Sequence, residues 1–134
     1  MKTPPSHRLR SGFSLIEISL VIGLLLGLAA FATMNVTAVR DWQRGKDAAV
    51  SIQAVFSAQR AYMSDHPTAD IADVSAAELQ AYLPEGWSSI PTAISLTGET
   101  LNLNHTVMPP QWRLGSTAYD PSGSGNDGLW DAGH

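Results

Sequence analysis

The chain contains no cysteine, which excludes a disulfide framework, a thiolate nucleophile and thiolate ligation of a metal. Only 15% of its residues are charged, and no acid precedes Glu17. There is no proline between residues 35 and 64 and only one glycine, Gly45, so nothing in that stretch compels a helix to break. Basic residues are scarce. Removing Lys2, Arg8 and Arg10 from the chain's eight leaves five against twelve acids, a net charge of −7. Phosphate backbones recruit Lys and Arg, so nucleic acid is not an expected partner. The four histidines, His7, His66, His105 and His134, are scattered and pair with no nucleophile. No catalytic constellation emerges, and no enzyme activity is expected.

What is present begins at residues 13–32, FSLIEISLVIGLLLGLAAFA, twenty residues with one formal charge, Glu17. At about 1.5 Å per residue a helix of that length covers roughly 30 Å, the thickness of a bilayer's hydrocarbon core. The three basic residues ahead of it favour keeping that end cytoplasmic, which puts the bulk of the chain on the other side. An ionisable group in a spanning segment costs a few kcal/mol, on the order of 3 at the centre, and needs a partner or a purpose.

Beyond residue 34 the helical pattern continues. Val36 and Val39, then Ile52, Val55, Phe56, Gln59, Tyr62 and Met63 recur at three- and four-residue steps, the spacing of one helix face. Arg40, Asp41, Arg44, Lys46 and Asp47 mark a wet stretch between the two halves. Pro67 disfavours helical geometry at His66, so the helix is expected to end near Asp65. The remaining residues must supply a domain for the one-sided second half. SAAE at 75–78 has capping-box spacing and starts a short helix that Pro84 stops. Residues 93–97 and 100–104 alternate apolar and polar around Gly98 and Glu99, a hairpin signal. Residues 111–114 add a third strand. The expected fold is α+β: a long N-terminal helix packed against a small antiparallel sheet that buries Ile94, Leu96, Leu101, Leu103 and Trp112. Trp87, Trp112 and Trp130 are expected to pack that small domain rather than to bind a ligand.

Three readings compete for the N-terminus. It is an ordinary signal anchor, or a secretory signal peptide cut after the AFA at residues 30–32, or a chain cut between Gly12 and Phe13. The second needs an apolar region longer than the usual ~7–15 residues, with an acid inside it. The third removes the basic leader and creates an α-amino group four residues before Glu17, and it accounts for the most. Amine and carboxylate stand at i and i+4 within one helix, or meet between two helices offset along their axes. A charge pair in low dielectric costs several kcal/mol to break, about 3–5. It therefore fixes one stagger among helices that would otherwise slide.

A basic leader, Gly12, then FSLIE at residues 13–17 and a long apolar helix resemble the precursors of type IV pilins and type II secretion pseudopilins, whose hallmark is G-F-[TS]-L-[IV]-E. The resemblance covers residues 8–32 most fully and extends in pattern to about 64; beyond that the layout alone is similar. It implies cleavage after Gly12 by a prepilin peptidase, N-methylation of Phe13, and pairing of Glu17 with that amine on a neighbouring copy in a filament. It implies a leader at 1–12, a membrane and assembly helix at 13–34, and a periplasmic domain at 35–134. The implied partners are other copies and related pilins, the peptidase, an inner-membrane assembly platform and lipid. The proline common in the family's apolar helix is missing, as is the C-terminal disulfide loop, which fits a pseudopilin or a cysteine-free pilin better. The alternative is a secreted or membrane-anchored binding module with a conventional signal sequence.

Two further patterns are candidates. Ser19, Gly23 and Gly27 form a small-xxx-small stripe that lets spanning helices approach closely. In the tail, Asp120, Ser122, Ser124, Gly125 and Asp131 fall at positions 1, 3, 5, 6 and 12 of a calcium-loop template, with Asn126 where a backbone carbonyl would serve. The competing reading is a loop built only for turning. No cofactor is required by any of these readings, and calcium is the one candidate.

Overall fold

A computed structural model of the protein describes residues 12–133. Lys2, His7, Arg8, Arg10 and His134 lie outside the described residues. The order of elements is α1 (Leu15–Asp65), a 3₁₀ turn (Ile71–Asp73), α2 (Ala76–Gln80), β1 (Thr92–Ile94), β2 (Thr100–Asn104), β3 (Gln111–Leu114) and β4 (Thr117–Ala118). The long helix ends at Asp65, where the Pro67 argument places its end.

Among the described residues up to Thr37, all from Leu15 on are helix. Ser14 starts it: its Oγ accepts the backbone N–H of Glu17 at 3.2 Å, satisfying a donor that the first turn leaves open. Every residue from 12 to 40 is exposed within the chain. The polar side chains of this stretch bond to their own helix. Ser19 donates to Leu15 O, Thr33 to Ala30 O, Asn35 to Phe31 O and Thr37 to Thr33 O, at 2.8–3.2 Å.

From Ala38 on, the chain folds around the second half of α1. The face carrying Ala48, Ile52, Val55 and Ala58 packs with Leu101 and Leu103 of β2, Trp112 of β3, and Leu83, Trp130 and Ala132. Full burial of a side chain such as Ile52 or Leu101 contributes about 1.5–3 kcal/mol. A second cluster, Tyr62, Val74 and Leu79, closes the far end of the helix. There Tyr62 stacks on His66 and meets Tyr82 edge to face. The expected capping box forms in full: Ser75 Oγ accepts from Glu78 N, and the Glu78 carboxylate accepts from Ser75 N at 2.8 Å.

The sheet is antiparallel in the order β1-β2-β3-β4, one strand more than expected. β4 has two residues and returns directly from β3, with Leu114 opposite Thr117 across a turn at Gly115 and Ser116. Leu101, Leu103 and Trp112 are buried as expected, but Ile94 and Leu96 are not: they are 45% and 36% exposed, and Ser95 is buried instead. The cause is register. A two-residue turn at Gly98 and Glu99 would set Leu96 opposite Leu101, whereas Ala93 takes that place. A shift of three residues is odd, so every side chain of β1 changes face. Ser95 then closes the longer turn, with its N–H and Oγ both bonded to the backbone of Glu99.

Gly45 is the seat of the chain's C-terminal tail. Trp130 is 4% exposed and packs on the helix there, its backbone N–H donating to Gly45 O at 3.2 Å. A Cβ at Gly45 would lie 2.9 Å from Trp130 Nε1 and 3.1 Å from Leu129 Cδ2, closer than carbon normally approaches. Trp130 itself has φ of 65°, a left-handed conformation that a bulky residue holds only when its surroundings enforce it. Lys46 fixes the same segment by donating to Gly128 O at 3.2 Å. Gly45→Val is expected to lower stability by about 1–3 kcal/mol through overpacking, and to shift tryptophan emission to the red as Trp130 leaves its seat. Unchanged melting and emission would show that the notch is not needed.

Candidate functional site

The features singled out in the sequence fall into two separate places. The first is the start of α1. Gly12, Phe13 and Ser14 precede the helix in non-helical conformation and are exposed, so the Gly12–Phe13 bond is accessible within the chain. Glu17 occupies the first helical turn, where a carboxylate is favoured by the partial positive charge of the helix end. Ser19 and Gly23, with Leu15, Ile16, Leu20 and Leu24, line a shallow groove of about 490 Å³. Nothing lies within 4 Å of a Cβ built on Gly23 or Gly27, so this side of the helix is open to a neighbour. By length and composition α1 carries an apolar stretch able to cross a membrane, and the chain itself buries none of it. Chemically this segment offers an open peptide bond, a helix-start carboxylate and an apolar surface.

The second place is the C-terminal loop. Asp120, Gly125, Asn126 and Asp131 share a cleft of about 410 Å³ with Trp112 and Tyr119. Several of the loop's side-chain oxygens serve its own backbone. Asp120 Oδ1 accepts from Ser122 N and Oγ, Ser122 Oγ accepts from Ser124 N, and Asp131 Oδ1 accepts from Gly133 N at 2.6 Å. Among the described residues no three His, Asp or Glu side chains stand where they could jointly hold a metal ion. The template positions are therefore close in space but are arranged as successive turns.

Their electrostatics are uneven. Burial pushes the Asp131 carboxyl up from its ordinary value, and the neighbouring Asp127 and Asp120 carboxyls push it further, against the Gly133 N–H that lowers it. Its Oδ2 is buried without a partner. Asp127 is shifted down, chiefly because the Leu129 N–H bonds to it at 2.9 Å.

Three residues that hold the domain on the helix were not assigned these roles from the sequence. Gln59, placed on the apolar face by periodicity, is fully buried and donates through Nε2 to His105 O and Val107 O at 2.7 and 2.9 Å. Arg44, in the wet stretch, donates to Leu96 O at 3.0 Å. Gly45, the lone glycine in thirty residues of helix, was the one visible signal of a close approach. Comparison with known proteins adds no identification: no family model, no curated protein and no solved structure matches the chain.

A raised carboxyl binds its proton more tightly in the folded than in the unfolded chain. Asp131 therefore costs stability as pH rises from the ordinary aspartate range through its raised value, and the loss is recovered on acidification. Asp127 and Glu78 act oppositely, losing their contributions only as pH falls below the ordinary carboxylate range. Asp131→Asn keeps the acceptor for Gly133 N–H and removes the charge. Denaturant unfolding across pH is expected to show this variant at least as stable as wild type at neutral pH, without the gain on mild acidification that Asp131 supplies. A less stable variant at neutral pH would contradict this electrostatic account.

Proposed function

We propose that this chain is the precursor of a filament subunit of the type IV pilin or type II secretion pseudopilin kind. The observation that carries the reading is Glu17: one carboxylate in the first turn of a helix whose apolar side chains up to residue 40 find no cover in their own chain. In this proposal a prepilin peptidase cuts after Gly12 and the new amine of Phe13 is methylated. The segment at 13–34 holds the protein in the inner membrane with residues 35–134 on the periplasmic side. Assembly then removes apolar helices from lipid by packing them on one another. Glu17 of one copy neutralises the Phe13 amine of the next, and the open stripe at Ser19, Gly23 and Gly27 lets the backbones approach. The partners are other copies, related pilins and an inner-membrane platform. The work is mechanical rather than catalytic.

The charge pair separates processing from assembly. Glu17→Ala is expected to be cleaved normally yet to yield few or no filaments, because no stagger is then preferred. Gly12→Val is expected to leave the leader attached. Wild-type filament yield from Glu17→Ala would refute the pairing. A soluble, monomeric product lacking residues 1–32 would instead support the conventional signal sequence.

Calcium belongs to this proposal only as a ligand that remodels the loop. Among the described residues no three acids stand together, so binding requires the loop to rearrange and bring its unused carboxylate oxygens to one point. The driving force would be relief of the repulsion that Asp120 and Asp127 impose on Asp131. A rise in melting temperature on adding calcium, abolished by Asp120→Ala, is the expected result. An unchanged melting temperature leaves the loop a turning device.

A further inference from the structure

Trp42 is 56% exposed, whereas Trp112 and Trp130 are 1% and 4% exposed. It lies on α1 outside the packed face of Gly45, Ala48 and Ile52, and shares its side of the helix with Val39, 54% exposed, and with Lys46, whose Nζ stands 6.0 Å from the Trp42 ring centroid. An indole left on the surface beside an aliphatic side chain and an ammonium has the chemistry of a membrane-interface anchor: an apolar body, a polar N–H and a nearby cation.

The residue count points to the same place. A hydrocarbon core of about 30 Å takes roughly twenty helical residues, and a headgroup layer of about 6 Å takes roughly four more. Counting Trp42 itself, the four residues of that layer are 39–42 and the twenty before them are residues 19–38. That window runs past the last aliphatic run and includes Thr33, Asn35 and Thr37. Their side chains each donate to a carbonyl three or four residues earlier, which lowers the cost of taking them out of water. No charged residue lies in the window. Ile18 and then Glu17 stand just past its far boundary.

We propose that Trp42 and Val39 sit in the headgroup layer on the domain's side of the bilayer and set the depth of α1. At that depth the Glu17 carboxylate is held at the opposite hydrocarbon boundary until a neighbouring helix takes it up. This rests on the membrane-spanning reading of α1 and adds to it a depth and the residue that fixes it. The cost of an ionised Glu17 in an unassembled subunit is then that of an interfacial carboxylate rather than a mid-bilayer one.

The full chain is reconstituted in phosphatidylcholine–phosphatidylglycerol vesicles carrying a nitroxide either on the headgroup or deep in the acyl chain. The emission lost in Trp42→Phe isolates the signal of Trp42. A second variant, Ile18→Trp in the Trp42→Phe background, reports the depth next to Glu17. The expected result is that the headgroup nitroxide removes more of both signals than the deep one. Stronger loss to the deep nitroxide at either position, or no loss of the Trp42 signal in a chain that floats with the vesicles, overturns the proposed depth alone. A chain that does not float with the vesicles overturns the membrane-spanning reading together with it.

Discussion

The apolar half of α1 has nothing among the described residues to cover it. Each Leu or Ile left in water forgoes about 1.5–3 kcal/mol of burial, and the stretch from residue 13 to 32 holds them in succession. Such a helix persists only in lipid or against similar helices. Both surroundings forbid unsatisfied backbone, which a continuous α-helix avoids by bonding every interior N–H and C=O internally. The lack of proline, the self-bonded Ser19, Thr33, Asn35 and Thr37, and the absence of charge between Glu17 and Arg40 all meet the same demand.

The second half of the helix solves the opposite problem, which is to hold a small domain with few large apolar residues. It does so by close approach. Gly45, Ala48 and Ala49 thin one side of the helix, and two indoles use the space. Trp112 donates through Nε1 to Ala48 O at 3.3 Å, and the backbone of Trp130 donates to Gly45 O. Sheet and tail thus both attach to carbonyls of the helix as well as to its side chains. Gln59 repeats the device further along, holding the loop between β2 and β3 by two carbonyls. These polar links give direction to an apolar contact that would otherwise tolerate sliding.

Much of this was legible in residue patterns. The three- and four-residue periodicity and Pro67 located the helix and its end. The serine–glutamate spacing located the cap at Ser75, and alternation located β2 and part of β1. Periodicity failed where turn length decided the outcome. The turn after β1 is longer than its Gly98-Glu99 signal suggested, and the odd shift turned Ile94 and Leu96 outward. β4 was missed because two residues carry no period, although Gly115 and Ser116 gave a turn signal. At the start of the helix, Gly12, Glu17 and the Ser19 stripe were visible because charge and small residues stand out in an apolar run. In the tail, composition resembled a metal loop while the geometry spends Asp120 and Ser122 on turns. Composition alone cannot separate those two uses of the same oxygens.

The account's central claim is electrostatic. In the proposed function, a carboxylate at the front of an uncovered apolar helix would be tolerable because trimming of the chain would supply an amine to neutralise it on an adjacent copy. The most direct measurement is the N-terminal sequence and intact mass of the protein extracted from the membranes of its producing cell. The account predicts a chain that begins at Phe13 and carries one methyl group on its terminal nitrogen. A chain that retains residues 1–12, or one that begins at Thr33 with the apolar segment removed, would contradict it.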